Sequence, residues 1–459
     1  MYDIVVIGGG PGGYSAALYA HNFGLKVALV EKDDRMGGTC LLRGCIPAKS
    51  WLQAAEVFVT VRDAAAFGVT GAEDPGFDWG IALGRKDKIV DGLVRGVTGL
   101  LKRREVTMFN GHGRVTSPTS VVVRTDDGEQ TLETRNIVVA TGSKPRSIPG
   151  FEFDGVRVVS SDHALDWAER PARVGIIGAG AIGCEFASLL ADLGSEVTLF
   201  ELMDQVVPGS DVDAAKELAK QLKRKGIAIH LGVSADPPEV GEHGVTLRWK
   251  DDASVDVDVV LVAVGRAPLT EGVGLEELGV TLDRGFVVVD PATQQTSVPG
   301  VYATGDIVAG TPQLAHAGFA EAIAAITHIA TGEVAPVDYR AIPLVVYTSP
   351  EMAEVGLSEA KARDAGHDVE VHTHSFIGVG RAQIIGHNQG IVKLVVEKDG
   401  PILGASVVGP HAGELIHELM YAVGWEALPA EAAAFIHAHP TLAEAVGEAL
   451  LGATGRPLH

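Results

Sequence analysis

The chain has 459 residues, of which 46% are apolar and 5% aromatic, and this length predicts about three domains of roughly 150 residues. Its net charge of −22 argues against a nucleic acid or an anionic membrane as a partner, because a polyanion would be repelled. No uncharged apolar run reaches the ~18 residues that span a bilayer, and the first strand follows Met1 too closely to leave room for a signal peptide. We therefore expect a cytoplasmic protein.

The first predicted elements form a strand, a glycine-rich turn, a helix and a second strand. Glycines let the backbone approach a pyrophosphate, the helix N-terminus supplies positive partial charge, and a carboxylate after the second strand accepts from a ribose hydroxyl. We predict strands over 5–7 and 26–31 and a helix ending near Gly24, with candidate nucleotide-binding residues Gly8, Gly10, Gly13 and Glu31.

The same device occurs a second time, over residues 174–201. Here the candidate residues are Gly178, Gly180, Gly183 and Glu201, and in both copies the acid follows the third glycine by 18 positions. A single Gly-x-Gly-x-x-Gly is weak evidence, but two complete copies in register predict two bound dinucleotides. After Glu201 come Leu202, Met203 and Asp204, with no cation for a 2′-phosphate, which favours NAD over NADP.

Two cysteines follow the first copy, Cys40 and Cys45. Two thiols so close to a nucleotide site suggest a disulfide that is made and broken during turnover. A stapling disulfide remains possible, although closing so short a loop should stabilise the fold by only about 2 kcal/mol. A zinc site would need further ligands, and no other Cys or His lies between Asn22 and His112. We therefore expect no metal site.

The middle and the end of the chain alternate between strand and helix patterns. Helical spacing predicts a surface helix over 87–104, and residues 106–139 read as strands with a hairpin turn at 126–128. From about 336 short strands recur, including 344–347 and 392–396. Two helices are expected at the end, near 413–423 and 441–451.

Near the end of the chain stand His439 and Glu444. Thr441 and Glu444 have the spacing of a capping box, in which Glu444 would bond to the backbone of a helix start. A cap is the simpler interpretation of this spacing alone. A histidine held by a carboxylate could instead act as a general base, because a thiol attacks poorly until it is a thiolate.

Taken together, these motifs resemble the flavin-dependent pyridine-nucleotide disulfide reductases. The similarity rests on the run GGTCLLRGCIPAK at 37–49, on Ala-Thr-Gly at 140–142, on Ala-Thr-Gly-Asp at 303–306 and on His-Ala-His-Pro-Thr-Leu-Ala-Glu at 437–444. It implies an α/β fold with two Rossmann-like dinucleotide-binding domains and a C-terminal α+β dimerisation domain. The implied segments are 1–145 and 270–335 for FAD, 146–269 for NAD and 336–459 for the interface.

The resemblance also implies where the cofactors lie. FAD would occupy the first glycine-rich turn and NAD the second, and Asp306 would hold the ribityl chain of the flavin. Lys49 and Glu185 would pair beside the flavin where hydride arrives. Further implied cofactor contacts are Thr39, Thr141, Gly142, Gly265 and Arg266.

Within the family the resemblance is greatest to the branch that oxidises dihydrolipoyl groups with NAD. Cys40 would exchange with the substrate, Cys45 would face the flavin, and His439 with Glu444 would serve the disulfide of the other subunit of a homodimer. The expected partner is a lipoyl-carrying acyltransferase or a glycine-cleavage carrier protein. Alternatives are an NAD(P)H-dependent reductase of another low-molecular-weight disulfide, and a redox-vestigial flavoprotein that acts as a binding subunit.

Overall fold

The computed structural model describes residues 1–72, 74–250 and 253–459. Contacts between residues divide the chain into two compact units, each assembled from three stretches of sequence. The first unit comprises Met1–Ser50, Leu83–Pro145 and Arg266–Tyr339, and the second comprises Trp51–Ala82, Arg146–Gly265 and Arg340–His459.

The strands of the described residues are numbered in chain order. They are β1 (Tyr2–Ile7), β2 (Val27–Glu31), β3 (Thr107–Asn110), β4 (His112–Ser117), β5 (Ser120–Thr125), β6 (Gly128–Val139), β7 (Ser143–Pro145), β8 (Val158–Val159), β9 (Arg173–Ile177), β10 (Glu196–Glu201), β11 (Ala228–Leu231), β12 (Glu239–Val240), β13 (Val245–Trp249), β14 (Ala253–Val257), β15 (Val259–Val262), β16 (Arg266–Pro268), β17 (Leu282–Asp283), β18 (Phe286–Val287), β19 (Val301–Ala303), β20 (Leu344–Val346), β21 (Glu351–Gly356), β22 (Val369–Ser375), β23 (Ile391–Glu397) and β24 (Ile402–Gly409).

The helices follow in the same order. They are α1 (Pro11–Ala20), α2 (Gly38–Arg43), α3 (Cys45–Arg62), α4 (Trp79–Arg103), α5 (Ser161–Ala164), α6 (Ala181–Asp192), α7 (Val212–Arg224), α8 (Ala315–Thr331), α9 (Glu359–Asp364), α10 (Gly380–Ile384), α11 (Ala412–Gly424), α12 (Pro429–Ala432) and α13 (Glu444–Ala453).

The first unit is built on a sheet with the strand order β3-β2-β1-β6-β5-β4, and β19 pairs with β6. Strands β1, β2, β3, β6 and β19 are parallel, whereas β4 and β5 extend β6 as an antiparallel hairpin. Residues 4–7 of β1 are buried on both faces: Ile4 and Val6 join one apolar cluster, Val5 and Ile7 another. Such a continuous apolar run is typical of a parallel strand covered on both sides.

The second unit contains two larger sheets. Five parallel strands, in the order β11-β10-β9-β15-β8, form its nucleotide-type sheet. Five antiparallel strands, in the order β20-β21-β24-β23-β22, form the other. The antiparallel sheet packs with α11 and α13 around one buried apolar core. Its members include Leu394, Val407, Ile416 and Leu450.

The elements expected from the sequence are present, with shifted ends. The helix predicted over 87–104 begins eight residues earlier, at Trp79, and the helix after the first glycine-rich turn ends at Ala20 before a 3-10 turn, His21–Phe23. The hairpin at 126–128 joins β5 to β6, as predicted. The last helix begins at Glu444 and not at Thr441. In the part of the chain that the structure describes, no helix is long and apolar enough to cross a membrane.

Candidate active site

The first glycine-rich turn leads from β1 into α1 and is packed too tightly for larger residues. A Cβ at Gly8 would lie 2.2 Å from the carbonyl oxygen of Ala140, and a Cβ at Gly13 would lie 1.7 Å from that of Gly8. The Glu31 carboxylate ends β2 and accepts hydrogen bonds from the backbone nitrogens of Gly9, at 2.5 Å, and Asp33, at 2.8 Å. Burial raises the pKa of Glu31, and the Gly9 hydrogen bond opposes that shift.

The second glycine-rich turn repeats this geometry between β9 and α6. A Cβ at Gly178 would lie 2.5 Å from the carbonyl oxygen of Ala263, and a Cβ at Gly183 would lie 1.9 Å from that of Gly178. Glu201 ends β10 and accepts hydrogen bonds from the backbone nitrogens of Ala179, at 2.7 Å, and Met203, at 2.9 Å. Each unit therefore contains one complete turn with its acid.

The two cysteines lie on successive short elements of the first unit. Cys40 is in α2 and is half-buried, whereas the exposed Cys45 opens α3. A hydrogen bond with Cys45 and burial raise the pKa of the Cys40 thiol, and the charge of Lys49 opposes this shift. The two thiols are thus adjacent, and Lys49 lies close enough to favour the thiolate.

Two glycines place this cysteine segment directly against the first turn. Gly37 and Gly38 have φ angles of 126° and 57°, which residues with a side chain rarely adopt. A Cβ at Gly38 would lie only 2.5 Å from the Cα of Gly10. The backbone just before the two cysteines therefore contacts the turn that is expected to bind FAD.

A hydrogen-bond network joins four segments of the first unit around the candidate flavin contacts. The Arg266 guanidinium donates to Ser143 Oγ at 2.7 Å, to the Ser143 carbonyl at 2.9 Å and to Thr39 Oγ1 at 3.4 Å. Ser143 Oγ in turn donates to Asp306 Oδ2 at 2.5 Å. The residue before Cys40 is therefore connected to Asp306 through Arg266 and Ser143.

The other residues of the Ala-Thr-Gly motif and its neighbours occupy loops after strands. Thr141 Oγ1 donates to the carbonyl oxygen of Leu269 at 2.6 Å. Gly142 and Gly265 have φ angles of 75° and 105°, so both need the conformational freedom of glycine. Thr141 and Gly142 belong to the first unit, whereas Gly265 ends a segment of the second.

Glu185 and Lys49 belong to different units. Glu185 lies in the first turns of α6, is buried, and accepts a hydrogen bond from the backbone nitrogen of Tyr347 at 3.0 Å. Lys49 lies in α3, one turn after Cys45. Their expected pairing beside the flavin stays a prediction.

The C-terminal histidine is presented on the surface of the second unit. His439 is 77% exposed, and its Nδ1 lies 2.8 Å from Glu444 Oε1. The other carboxylate oxygen, Oε2, accepts from the backbone nitrogen of Thr441 at 2.9 Å. Those two hydrogen bonds, with Thr441 first, lower the pKa of Glu444. With Nδ1 engaged, His439 can take up a proton at Nε2.

Glu444 thus combines the two roles between which the sequence could not decide. It accepts from the backbone nitrogen of Thr441, the contact that a capping box would make, and it also holds His439. The expectation that the Thr441 side chain caps the last helix is wrong. Thr441 Oγ1 donates to the carbonyl oxygen of Ala438, and the residue before the helix is Ala443.

Sequence reasoning missed two residues of this site, Ser143 and Tyr14. Burial raises the pKa of Tyr14 to about 12, and the charges of Cys40 and Cys45 add to this shift. Tyr14 directly follows Gly13 and Ser143 directly follows Gly142, so position next to each motif was the available signal.

The first turn has the features required by FAD. The Thr304 hydroxyl lies against Gly12, where a Cβ would approach its Oγ1 to 2.9 Å. Within the described residues, this buried Oγ1 has no hydrogen-bond partner, as expected where a ligand supplies one. The backbone amides at the start of α1, the Glu31 carboxylate and Asp306 complete a set of donors and acceptors that fits a dinucleotide.

The fold and these sites define a class of protein. Two dinucleotide-binding turns, a thiol pair against the first of them and a histidine held by a carboxylate are the parts of a nucleotide-linked thiol–disulfide oxidoreductase.

Comparison with known proteins identifies the family. Residues 2–322 match the family model of the pyridine nucleotide-disulphide oxidoreductases. Residues 342–450 match the model of the dimerisation domain of the same family. The chain belongs to the pyridine nucleotide-disulphide oxidoreductase family. It is therefore a flavoprotein oxidoreductase that uses FAD and NAD. The matched dimerisation domain supports a homodimer.

Individual relatives match over the full length. The chain is 38% identical to a dihydrolipoyl dehydrogenase of Bacillus subtilis, covering 100% of this chain and 99% of the relative. It is 40% identical to a dihydrolipoyl dehydrogenase of Chlamydia muridarum, covering 100% and 98%. Among solved structures, LpdA from Mycobacterium tuberculosis superposes with a TM-score of 0.90 at 27% identity, covering 98% of this chain and 99% of that one.

Proposed function

We propose that this protein oxidises protein-bound dihydrolipoyl groups to lipoyl groups and reduces NAD+ to NADH, using the Cys40–Cys45 pair and FAD. The observation that carries the proposal is the thiol pair itself: Cys40 and Cys45 are hydrogen-bonded to each other on a segment whose Gly38 touches Gly10 of the first turn. The full-length similarity to dihydrolipoyl dehydrogenases supports this substrate.

The reaction begins with the disulfide form of the cysteine pair. His439 Nε2 takes the proton of one substrate thiol, and Glu444 holds the ring in place through Nδ1. The new thiolate attacks Cys40 Sγ, the Cys40–Cys45 bond breaks, and Cys45 leaves as a thiolate. The second substrate thiol loses its proton to solvent, and its sulfur attacks the mixed disulfide, which closes the lipoyl ring and releases the Cys40 sulfur.

The released Cys40 sulfur needs a proton, because burial and its hydrogen bond with Cys45 raise the pKa of the Cys40 thiol. Protonated His439 is the group that can return it. FAD supplies the transfer of two electrons from the cysteine pair to NAD. Lys49 lowers the pKa of the Cys40 thiol, and we assign it and Glu185 to the path between the thiols and the nicotinamide.

Several assignments belong to this proposal. FAD lies on the first turn with Glu31, Thr39, Thr141, Gly142 and Asp306, and Arg266 supports Asp306 through Ser143. NAD lies on the second turn with Glu201, and Asp204 with Glu201 disfavours a 2′-phosphate. Segments 1–145 and 270–335 form the FAD domain, 146–269 the NAD domain and 336–459 the interface domain.

The partner in this proposal is a lipoyl-carrying acyltransferase or a glycine-cleavage carrier protein, and His439 serves the disulfide of the second subunit of the dimer. Support comes from the exposure of His439 and from the dimerisation domain that contains it. The cytoplasmic location expected from the sequence stays a prediction.

The experiment is NAD reduction by free dihydrolipoamide, run beside NADPH with glutathione disulfide. We expect NADH formation in the first assay and no consumption of NADPH in the second. Removing the general base in His439→Gln should slow it by about 10²–10⁴-fold, and Cys45→Ser should abolish it. His21→Gln, an exposed histidine in the first unit, is the matched control and should keep full activity.

A lipoylated carrier domain then replaces dihydrolipoamide to test the partner. If the wild type reduces neither NAD with dihydrolipoamide nor NAD with the carrier, while NADH still bleaches its flavin, the substrate assignment is wrong. If His439→Gln turns over as fast as the wild type, the role of the His439–Glu444 pair is wrong.

A further inference from the structure

Glu321 is a fully buried carboxyl group that the reaction above does not use. It lies in α8, and its Oε2 accepts a hydrogen bond from the backbone nitrogen of Gly305 at 2.5 Å. Its Oε1 accepts from the Tyr339 hydroxyl at 3.1 Å, and the Thr311 side chain is a further hydrogen-bond partner. One buried side chain thus holds the turn that carries Asp306.

Helix α8 brings this carboxyl to the place where the FAD cradle closes. One turn before Glu321, a Cβ at Gly318 would lie 3.3 Å from the Cα of Gly305 and 3.5 Å from the nitrogen of Gly12. The helix therefore lies directly on both the first glycine-rich turn and the turn before Asp306. Glu321, three residues later, clamps the second of these turns to the helix.

The surroundings of Glu321 make its charge sensitive to conditions near neutrality. Burial raises its pKa to about 7, hydrogen bonds from Gly305, Tyr339 and Thr311 oppose the shift, and the nearby charge of Asp306 adds to it. Burial and the Glu321 charge in turn raise the pKa of Tyr339, which stays neutral.

Other titratable groups reach α8 at more distant points. The Tyr14 ring of α1 packs on Phe319, and the Tyr302 hydroxyl of β19 lies 3.0 Å from His328 Nδ1. Asp306 and Tyr339 are therefore the titratable groups that act on Glu321 itself.

We propose that Glu321 is a positioning residue of the FAD cradle and that FAD binding is accompanied by uptake of a proton on its carboxyl group. The inference rests on the proposed placement of FAD on the first turn. A diphosphate brings negative charge to a cradle that already contains Asp306, and this favours the uncharged form of a buried neighbouring acid. The protonated group can still accept from Gly305 through its carbonyl oxygen, so the turn stays clamped.

The test measures the rate at which the holoenzyme releases FAD, followed by the rise of flavin fluorescence in mild chaotrope, between about pH 6 and about pH 8.5. If the pKa of Glu321 differs by one unit with and without FAD, the wild type should release FAD about tenfold faster at the higher pH. In Glu321→Gln the side chain is uncharged throughout and keeps an acceptor for Gly305, so release should be slow at both pH values.

Tyr339→Phe separates titration from a purely structural role. It removes a donor that favours charged Glu321, so the midpoint of the pH-dependent release should move to higher pH. A residue that only fills space would leave the midpoint unmoved. Glu333→Gln, at an exposed carboxyl just beyond α8, is the matched control and should behave like the wild type.

The proposal is overturned if Glu321→Gln keeps the pH dependence of the wild type, or if Tyr339→Phe leaves the midpoint in place. If Glu321→Gln does not fold, Tyr339→Phe alone decides. Because FAD release needs neither a disulfide substrate nor NAD, a failure to oxidise dihydrolipoamide leaves this test intact. If the purified protein contains no FAD, the cofactor assignment itself is refuted.

Discussion

The two glycine-rich turns share a backbone and differ in what surrounds it. In both, the first glycine lies against a carbonyl of a neighbouring strand end, the third lies against the carbonyl of the first, and the acid bonds two backbone nitrogens. Where the first turn has Gly12, however, the second has Ile182.

The first turn is enclosed by other segments, whereas the second is open on the same side. Gly12 lies against Thr304, and a Cβ at Gly10 would touch the Cα of Gly38 at 3.6 Å. At the corresponding Gly180, no described atom lies within 4 Å of the Cβ position. An enclosed cradle suits a cofactor that stays bound, and an open one suits a nucleotide that leaves after each turnover. The neighbours of each turn thus predict a retained nucleotide at the first turn and an exchanged one at the second.

The largest effect is expected at the third glycine of each turn. A Cβ would overlap a backbone oxygen at 1.7 Å in Gly13→Ala and at 1.9 Å in Gly183→Ala, and backbone cannot move aside cheaply. Gly13→Ala should lose its flavin, whereas Gly183→Ala should keep its flavin spectrum and lose at least about a hundredfold in NAD reduction, ~2.7 kcal/mol. Flavin content and NAD kinetics are the measurements. If Gly183→Ala loses its flavin, the assignment of the two nucleotides to separate turns is wrong.

An intermediate effect is expected at the position where the turns differ. Gly12→Ala would place a Cβ 2.9 Å from Thr304 Oγ1, an overlap that should cost about 1–3 kcal/mol and speed FAD release. Ile182→Ala only trims a half-buried side chain, so we expect it to leave the flavin in place. Thermal unfolding with flavin fluorescence compares the two. Equal flavin loss in both variants would mean that enclosure does not hold the cofactor.

The smallest effect on folding is expected at the middle glycine. Gly10 and Gly180 have φ angles of −80° and −68°, which alanine adopts readily, and neither position has a severe overlap. Gly10→Ala and Gly180→Ala should change the free energy of unfolding by less than about 0.5 kcal/mol. Each substitution should nevertheless weaken binding of the nucleotide at its own turn, because the added methyl group keeps the pyrophosphate away from the backbone. Denaturant unfolding of each variant, with and without nucleotide, checks this.

Local sequence patterns made the two glycine-rich turns predictable. The helix start that was misplaced depends on contacts between residues far apart in the sequence. Strand β10 lies at 196–201, as expected, because glycine spacing and apolar alternation are both local signals. Helix α4 starts early at Trp79, whose ring packs at a tilt on Trp51, with 4.2 Å between the ring centroids, and whose Nε1 donates to the carbonyl oxygen of Trp167. Periodicity could not reveal those contacts.

The candidate site shows the same division. The cysteine pair and the His439–Glu444 pair are close in sequence, so their spacing was informative. The bond from Ser143 to Asp306 joins residues 163 positions apart, and no pattern near either residue announces it. The late start of α13 has a local cause that spacing left open, since Glu444 reaches back to Thr441 and His439.

The pairing of β19 with β6 has a consequence for how the chain is made. Residues 1–139 leave the ribosome long before Val301–Ala303, the strand that completes their sheet, and Arg266 and Asp306 also come late. At roughly 5–20 residues per second, this delay lasts about 8–30 s. Strands β8 to β15 are contiguous in sequence and can close their own sheet in that interval. Residues 158–262 should therefore complete their own sheet while the sheet of the first unit still lacks its last strand.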